Sequence, residues 1–153
     1  MSFSQQAYDN INKLLKLLKT RLNSTGKIKS IDSFGNEIYV DCDIFFTDQL
    51  TDYLILSLSW FNQTPVFTSF SFEDTVFVEI FSEIIVTGAA IQALAAKSLI
   101  EKGREFAVTD DGVTLNPPNV ADLMHTQFAL LLDYHVLRLR EIKKDIVSFF
   151  NKS

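Results

Sequence analysis

Two histidines, one cysteine and a pair of glutamates are the side chains whose types and spacing bear on chemistry. His135 falls inside an apolar helical stripe, where a hydrogen-bonded core histidine is expected before a ligand or base. His125 lies three residues after Asp122, one helical turn away. A first-turn acid and a neighbouring imidazole read as capping and surface residues, and no second such pair completes a metal site. Cys42 stands between Asp41 and Asp43, and flanking carboxylates disfavour the thiolate that a nucleophile needs. Strand alternation also puts it on the face opposite both acids, so it reads as small apolar filler. Glu79 and Glu83, one turn apart, read as a solvated face that matches a helix dipole. There is no nucleophile elbow, and the five glycines stand singly, so no phosphate-cradling loop is present. The expectation is a chain that is not an enzyme, without catalytic residues, cofactor or metal.

The elements that hold these residues follow from patterning. Ser4 caps a first helix, with Phe3 and Tyr8 placed as a hydrophobic staple. Tyr8, Ile11, Leu15, Leu18 and Leu22 recur at spacings of three and four, and the helix ends near Asn23 to Gly26. Ile28 and Ile31, then Ile38, Val40 and Cys42, flank a turn at Ser33-Phe34-Gly35-Asn36 and predict a small hairpin. Thr47 with Asp48 starts a second helix to about Phe61. It is apolar nearly all round, which requires burial on more than one face, in a core or at a subunit contact. Pro65 forces an extended link carrying Phe67, Phe70 and Phe72. These three, with Tyr53, Trp60 and Phe61, read as core filling in preference to a ligand cleft.

Ser71 or Asp74 then caps a long third helix reaching Arg104, with acids early and bases late as the dipole prefers. Phe106 and Val108 face Val113 and Leu115 across Asp111-Gly112, a strong hairpin signal. Asn119 and Asp122 open a terminal helix to about Phe150. Its stripe is Met124, Phe128, Leu131, His135, Leu139, Ile142, Ile146 and Phe149. The expected fold is therefore α+β and helix-dominant, with four helices (two long) and two small β-hairpins. It forms a single domain over residues 1–153, and the end of the last helix is free to project to a neighbour.

Bulk properties narrow the class. A chain of 153 residues suits one domain with a sizeable core. Fourteen phenylalanines against only 5 glycines and 3 prolines describe an ordered, core-rich chain. The net charge of −5 disfavours phosphate binding. The one dense basic run, Arg138, Arg140, Lys143 and Lys144, is interleaved with Glu141 and Asp145 and reads as a solvated helix face. Sequence-specific nucleic-acid reading is not expected. The lone Cys42 excludes an internal disulfide. Met1 to Gln6 lacks the pattern of a secretory signal. The apolar run from Ile84 to Ala96, fenced by Glu83 and Lys97, is shorter than the ~20 residues that cross a bilayer. No membrane partner is expected, and a soluble, reducing compartment is.

Gly88, Ala89, Ala90, Ala93, Ala95 and Ala96 let another backbone approach the third helix closely. Candidate interaction residues are Gly88, Ala89 and Ala93 on that helix, and Leu139, Ile142 and Ile146 on the last one. Arg104, Asp111 and Gly112 add a docking finger.

Two segments carry a family resemblance. One is Leu56-Ser57-Leu58-Ser59-Trp60-Phe61-Asn62-Gln63-Thr64-Pro65 followed by Phe70-Ser71-Phe72-Glu73-Asp74. The other runs from Gly88-Ala89-Ala90 through Glu101-Lys102-Gly103-Arg104-Glu105-Phe106 to Asp111-Gly112-Val113 and Pro117-Pro118. Together, over roughly Leu50 to Leu132, the chain resembles small virion structural proteins of tailed bacteriophages, of the kind placed at the neck. The resemblance implies a homo-oligomeric head–tail connector or adaptor ring that meets portal and tail components. It implies a place in the virion, assembled in the host cytoplasm. The reading that stands against it is a cytosolic helical binding or regulatory module with an aromatic pocket.

Overall fold

The computed structural model describes residues 3–22, 25–104, 108–110, 113–115 and 120–150, with side chains over 3–22, 29–40, 44–99 and 125–148. The chain order is α1 (Gln5–Leu22), β1 (Thr25–Ile31), β2 (Glu37–Asp43), α2 (Thr47–Gln63), α3 (Thr75–Ile80), α4 (Ser82–Arg104), β3 (Val108–Asp110), β4 (Val113–Leu115) and α5 (Val120–Phe150). Helix dominates, as expected, beside two small antiparallel sheets.

α1 begins where the sequence places its cap, with Ala7 N donating to Ser4 Oγ at 3.3 Å. Its periodic residues Ala7, Ile11, Leu14, Leu15 and Leu18 are buried. α2 starts differently from expectation. Phe46, not Thr47, is the N-cap, and its amide donates to Gln49 Oε1 at 3.3 Å. The Thr47 hydroxyl instead accepts from Lys19 Nζ at 3.0 Å, tying the start of α2 to the last turn of α1.

The helix expected from Asp74 to Arg104 is two helices, which makes five among the described residues in place of four. Asp74 does cap the first, accepting from Phe77 N at 3.2 Å. The break falls at Phe81. Yet Phe81 N still donates to Phe77 O at 2.9 Å, and Ile85 N to Phe81 O at 3.1 Å. Those two bonds bridge the interruption, and the chain bends there. Phe81 sits among Phe61, Phe70 and Phe77, with ring centroids 5.6, 6.4 and 5.3 Å away. We attribute the bend to that aromatic packing.

α4 is the central helix, with α2 and α5 packed closely against it and α1 alongside. The small residues Ala89, Ala90 and Ala93 are buried, as are Ile84, Ile85 and Val86. The expected close approach is therefore satisfied by this chain's own helices. Likewise Leu139 is fully buried, while Ile142 and Ile146 pack against the same core. Of these six interaction candidates, Gly88, Ala89, Ala93 and Leu139 are buried within this chain, and Ile142 and Ile146 are partly buried against the same core. β3 and β4 pair antiparallel with Val108 opposite Leu115. Asp111, Gly112 and the Arg104 side chain lie outside the described residues, as do the side chains of Cys42, Met124 and Phe149 and the cap expected at Asn119.

Candidate functional site

Three places hold the polar and exposed groups that the fold has not used in its apolar core. The first is the junction of α2, α4 and α5. Ser57 is buried in the middle of α2 and donates its hydroxyl hydrogen to Ile85 O at 2.7 Å, across to α4. His135 comes from α5 and is buried, its ring 4.6 Å from that of Trp60. Gly88 lies between them on α4, where a side chain would meet both Ser57 and His135.

Burial pushes the His135 imidazole down to about 4, against an upward pull from the Glu83 carboxylate. Among the described residues its Nδ1 finds no hydrogen-bond partner. His135 is thus a core histidine as expected, but not a hydrogen-bonded one at this nitrogen. A serine and a histidine have converged here, which the sequence did not indicate. With Ser57 committed to a backbone carbonyl and both residues closed to solvent, the pair holds three helices in register and offers no route to a substrate.

The second place is the 64–72 link, which enters through a cis Thr64-Pro65 peptide. Asn62 Oδ1 accepts from Phe70 N at 3.1 Å and from the Thr68 hydroxyl at 3.0 Å, while its Nδ2 donates to Phe70 O at 2.8 Å. Asn10, buried on α1, donates to Phe72 O at 2.7 Å. From the other side Lys143 Nζ donates to Val66 O and to the Thr68 hydroxyl, both at 2.8 Å, and lies 4.7 Å from the Phe61 ring centroid.

Lys143 is 0% exposed, which corrects its placement in a solvated basic run. Its neighbours Arg138, Arg140 and Lys144 are exposed, as expected. No carboxylate among the described residues pairs with Lys143, and burial lowers its pKa. The helical spacing held the signal: Lys143 follows Leu139 by four residues and precedes Ile146 by three, so it belongs to the buried stripe. The aromatic residues beside it fill the core. Phe61 and Phe77 are buried, and Phe70 stacks on Phe77 at 4.3 Å. Phe67 alone of the expected aromatic set stands out in solvent.

The third place is the β1–β2 hairpin. Its seven-residue strands pair in full register from Thr25 opposite Asp43 to Ile31 opposite Glu37. Asp32 builds the turn: its Oδ1 accepts from Phe34 N at 2.9 Å and Asn36 N at 2.8 Å. Those backbone donors, Asn36 first, lower its pKa. Gly35 closes the turn at φ 83°, a conformation that suits glycine. None of the hairpin's described side chains joins the core cluster. Phe34 at the tip is 89% exposed and Tyr39 is 69% exposed.

Two further features are shallow clefts along α1 and α2 of about 490 and 400 Å³, which share Phe3 and Ile55. Glu79 and Glu83 are exposed and pair separately, with Lys13 at 3.8 Å and Arg21 at 4.0 Å. His125 is exposed on α5. Among the described residues no cluster of His, Cys, Asp or Glu is placed to hold a metal ion, and no helix is long and apolar enough to cross a membrane. Comparison with protein-family models, curated proteins and solved structures finds no match.

Proposed function

We propose that the chain is a non-catalytic structural subunit of a tailed-phage virion, a connector or adaptor that forms a homo-oligomeric ring between portal and tail. Support comes from the resemblance over Leu50 to Leu132 and from one structural observation. The described side chains of the β1–β2 hairpin, with Phe34 at its tip, take no part in the chain's own core. A two-stranded hairpin alone in water is marginally stable, and further strands or a packing partner are what normally sustain one. An element that the fold leaves uncovered is what a subunit offers to its neighbours. Inside the helical body Ser57 ties α2 to α4, while Asn10, Asn62 and Lys143 hold the 64–72 link. The finer architecture belongs to the same reading, with the 108–115 hairpin as a second finger toward portal or tail. Its partners are protein: copies of itself and other virion components, with neither sequence-specific nucleic acid nor membrane.

Deletion of the coding sequence from a phage that carries it, with complementation in trans, tests this. The expected particles are filled heads and separate tails, restored to joined virions by the wild-type chain. Joined, infectious particles in the deletion would contradict the proposal.

A second reading, a helical binding module, draws on the clefts along α1 and α2. Phe3, Ile55 and Phe70 line apolar space there that a small ligand or peptide would fill. It differs from the first reading in needing no self-association.

A further inference from the structure

We propose that copies of this chain join head to tail through their β1–β2 hairpins, the outer edge of β2 on one copy pairing antiparallel with the outer edge of β1 on the next. The inference rests on the ring reading above and names the contact that makes the ring.

Among the described residues each strand has one paired side and one free side, because the sheet holds β1 and β2 alone. Free edges are templates for further strand pairing, and natural proteins guard them with short strands, prolines, bulges or charge. These strands are seven residues long, pair without a bulge and contain no proline. Charge is the device present, and it is distributed unequally. β1 reads Thr-Gly-Lys-Ile-Lys-Ser-Ile, with Lys27 and Lys29 and no acid. β2 reads Glu-Ile-Tyr-Val-Asp-Cys-Asp, with Glu37, Asp41 and Asp43 and no base.

The register sets all five charged positions on one face of the hairpin, with Lys27 opposite Asp41. Lys29 and Glu37 form an ion pair across it at 2.7 Å. The other face carries Ile28, Ile38 and Val40, and the described pair Ile38 and Val40 is exposed.

That distribution selects among the possible edge contacts. β1 against β1 sets lysine beside lysine, and β2 against β2 sets acid beside acid; like charges opposite one another destabilise a sheet. Only β2 against β1 repeats the pairing that each hairpin already makes internally. Such a contact is heterologous, so it propagates, and it closes into a ring when the rotation per copy divides a full turn. Every hairpin then keeps the same orientation while consecutive strands alternate up and down, as in a closed antiparallel barrel, where no edge is left open. The Ile38 and Val40 face becomes one side of a continuous sheet in place of an isolated ribbon.

The test uses the full chain in three variants, with mass read by sedimentation velocity and native mass spectrometry. Lys27→Glu with Lys29→Glu makes both edges acidic. Glu37→Lys with Asp41→Lys leaves β1 basic and makes β2 net basic, with Asp43 its one remaining acid. Each should lose the wild-type oligomer. An equimolar mixture of the two should regain it with the variants alternating, and the chain carrying all four substitutions should assemble alone, since its internal pairs are restored. Either two-substitution variant keeping the wild-type mass, or a mixture that stays apart, overturns the proposal. The two levels separate cleanly. A wild-type chain that remains a monomer removes the ring reading as well, whereas an oligomer indifferent to edge charge removes only this contact.

Discussion

A Cβ built on Gly88 would lie 3.2 Å from His135 Cε1 and overlap the Ser57 hydroxyl, so the absence of a side chain at Gly88 sets how closely α2 and α5 approach α4. Gly88→Ala should therefore destabilise the fold although alanine is the better helix former by ~1 kcal/mol. Overpacking of a filled core costs about 1–3 kcal/mol, and moving Ser57 also breaks its bond to Ile85 O. Urea denaturation followed by Trp60 fluorescence measures the difference. Ser57→Ala in the same chain should recover part of it, because the overlapping oxygen is gone.

Ala93, buried five residues further along α4 and about 140° round it from Gly88, probes the packing on another side of the same helix. Ala93→Leu should cost about 1–3 kcal/mol by the same overpacking. An unchanged denaturation midpoint would place this face in solvent.

His135 makes stability depend on pH. Its folded pKa of about 4 lies below the ordinary 6.5, so the unfolded chain binds the proton more tightly. The stabilisation is fully present above pH 6.5 and is lost as pH falls from there toward 4. At 1.36 kcal/mol per pKa unit the loss is about 3 kcal/mol. Denaturation midpoints measured between pH 7 and 4 should fall accordingly, and His135→Leu should flatten that part of the profile. A parallel slope in the variant would assign the effect to other groups.

Lys143 predicts a local effect. Lys143→Met keeps the apolar stem but removes the donor to Val66 O and Thr68, so the 64–72 link should loosen while the helices persist. Limited proteolysis should cut near the exposed Phe67 several times faster, with the circular dichroism spectrum unchanged. Equal cleavage rates would mean that Asn62 and Asn10 suffice to hold the link.

Much of the fold was legible because its signals are local. Ser4 and Asp74 cap the helices they were expected to cap, and the spacing of Ile11, Leu15 and Leu18 marks the buried face of α1. The break at Phe81 was not legible: no glycine or proline stands there, and the bend accompanies rings brought together from α2 and the 64–72 link. Lys143 was misassigned because Arg140, Lys144 and Asp145 surround it in sequence, although its register places it with Leu139 and Ile146. The small residues of α4 did signal close approach. They carried no information on whether the approaching helix belonged to the same chain or to another. The hairpin was visible in its alternation and its turn, but that its described side chains stay out of the helical core is a tertiary fact that no local pattern encodes.

Self-association is the claim on which the rest depends. Electron microscopy of the purified full chain, classified by particle shape, tests it most directly. The account predicts closed rings of one discrete copy number, with the hairpins forming the continuous strand-bearing layer. A population of single compact particles at every concentration examined would contradict it.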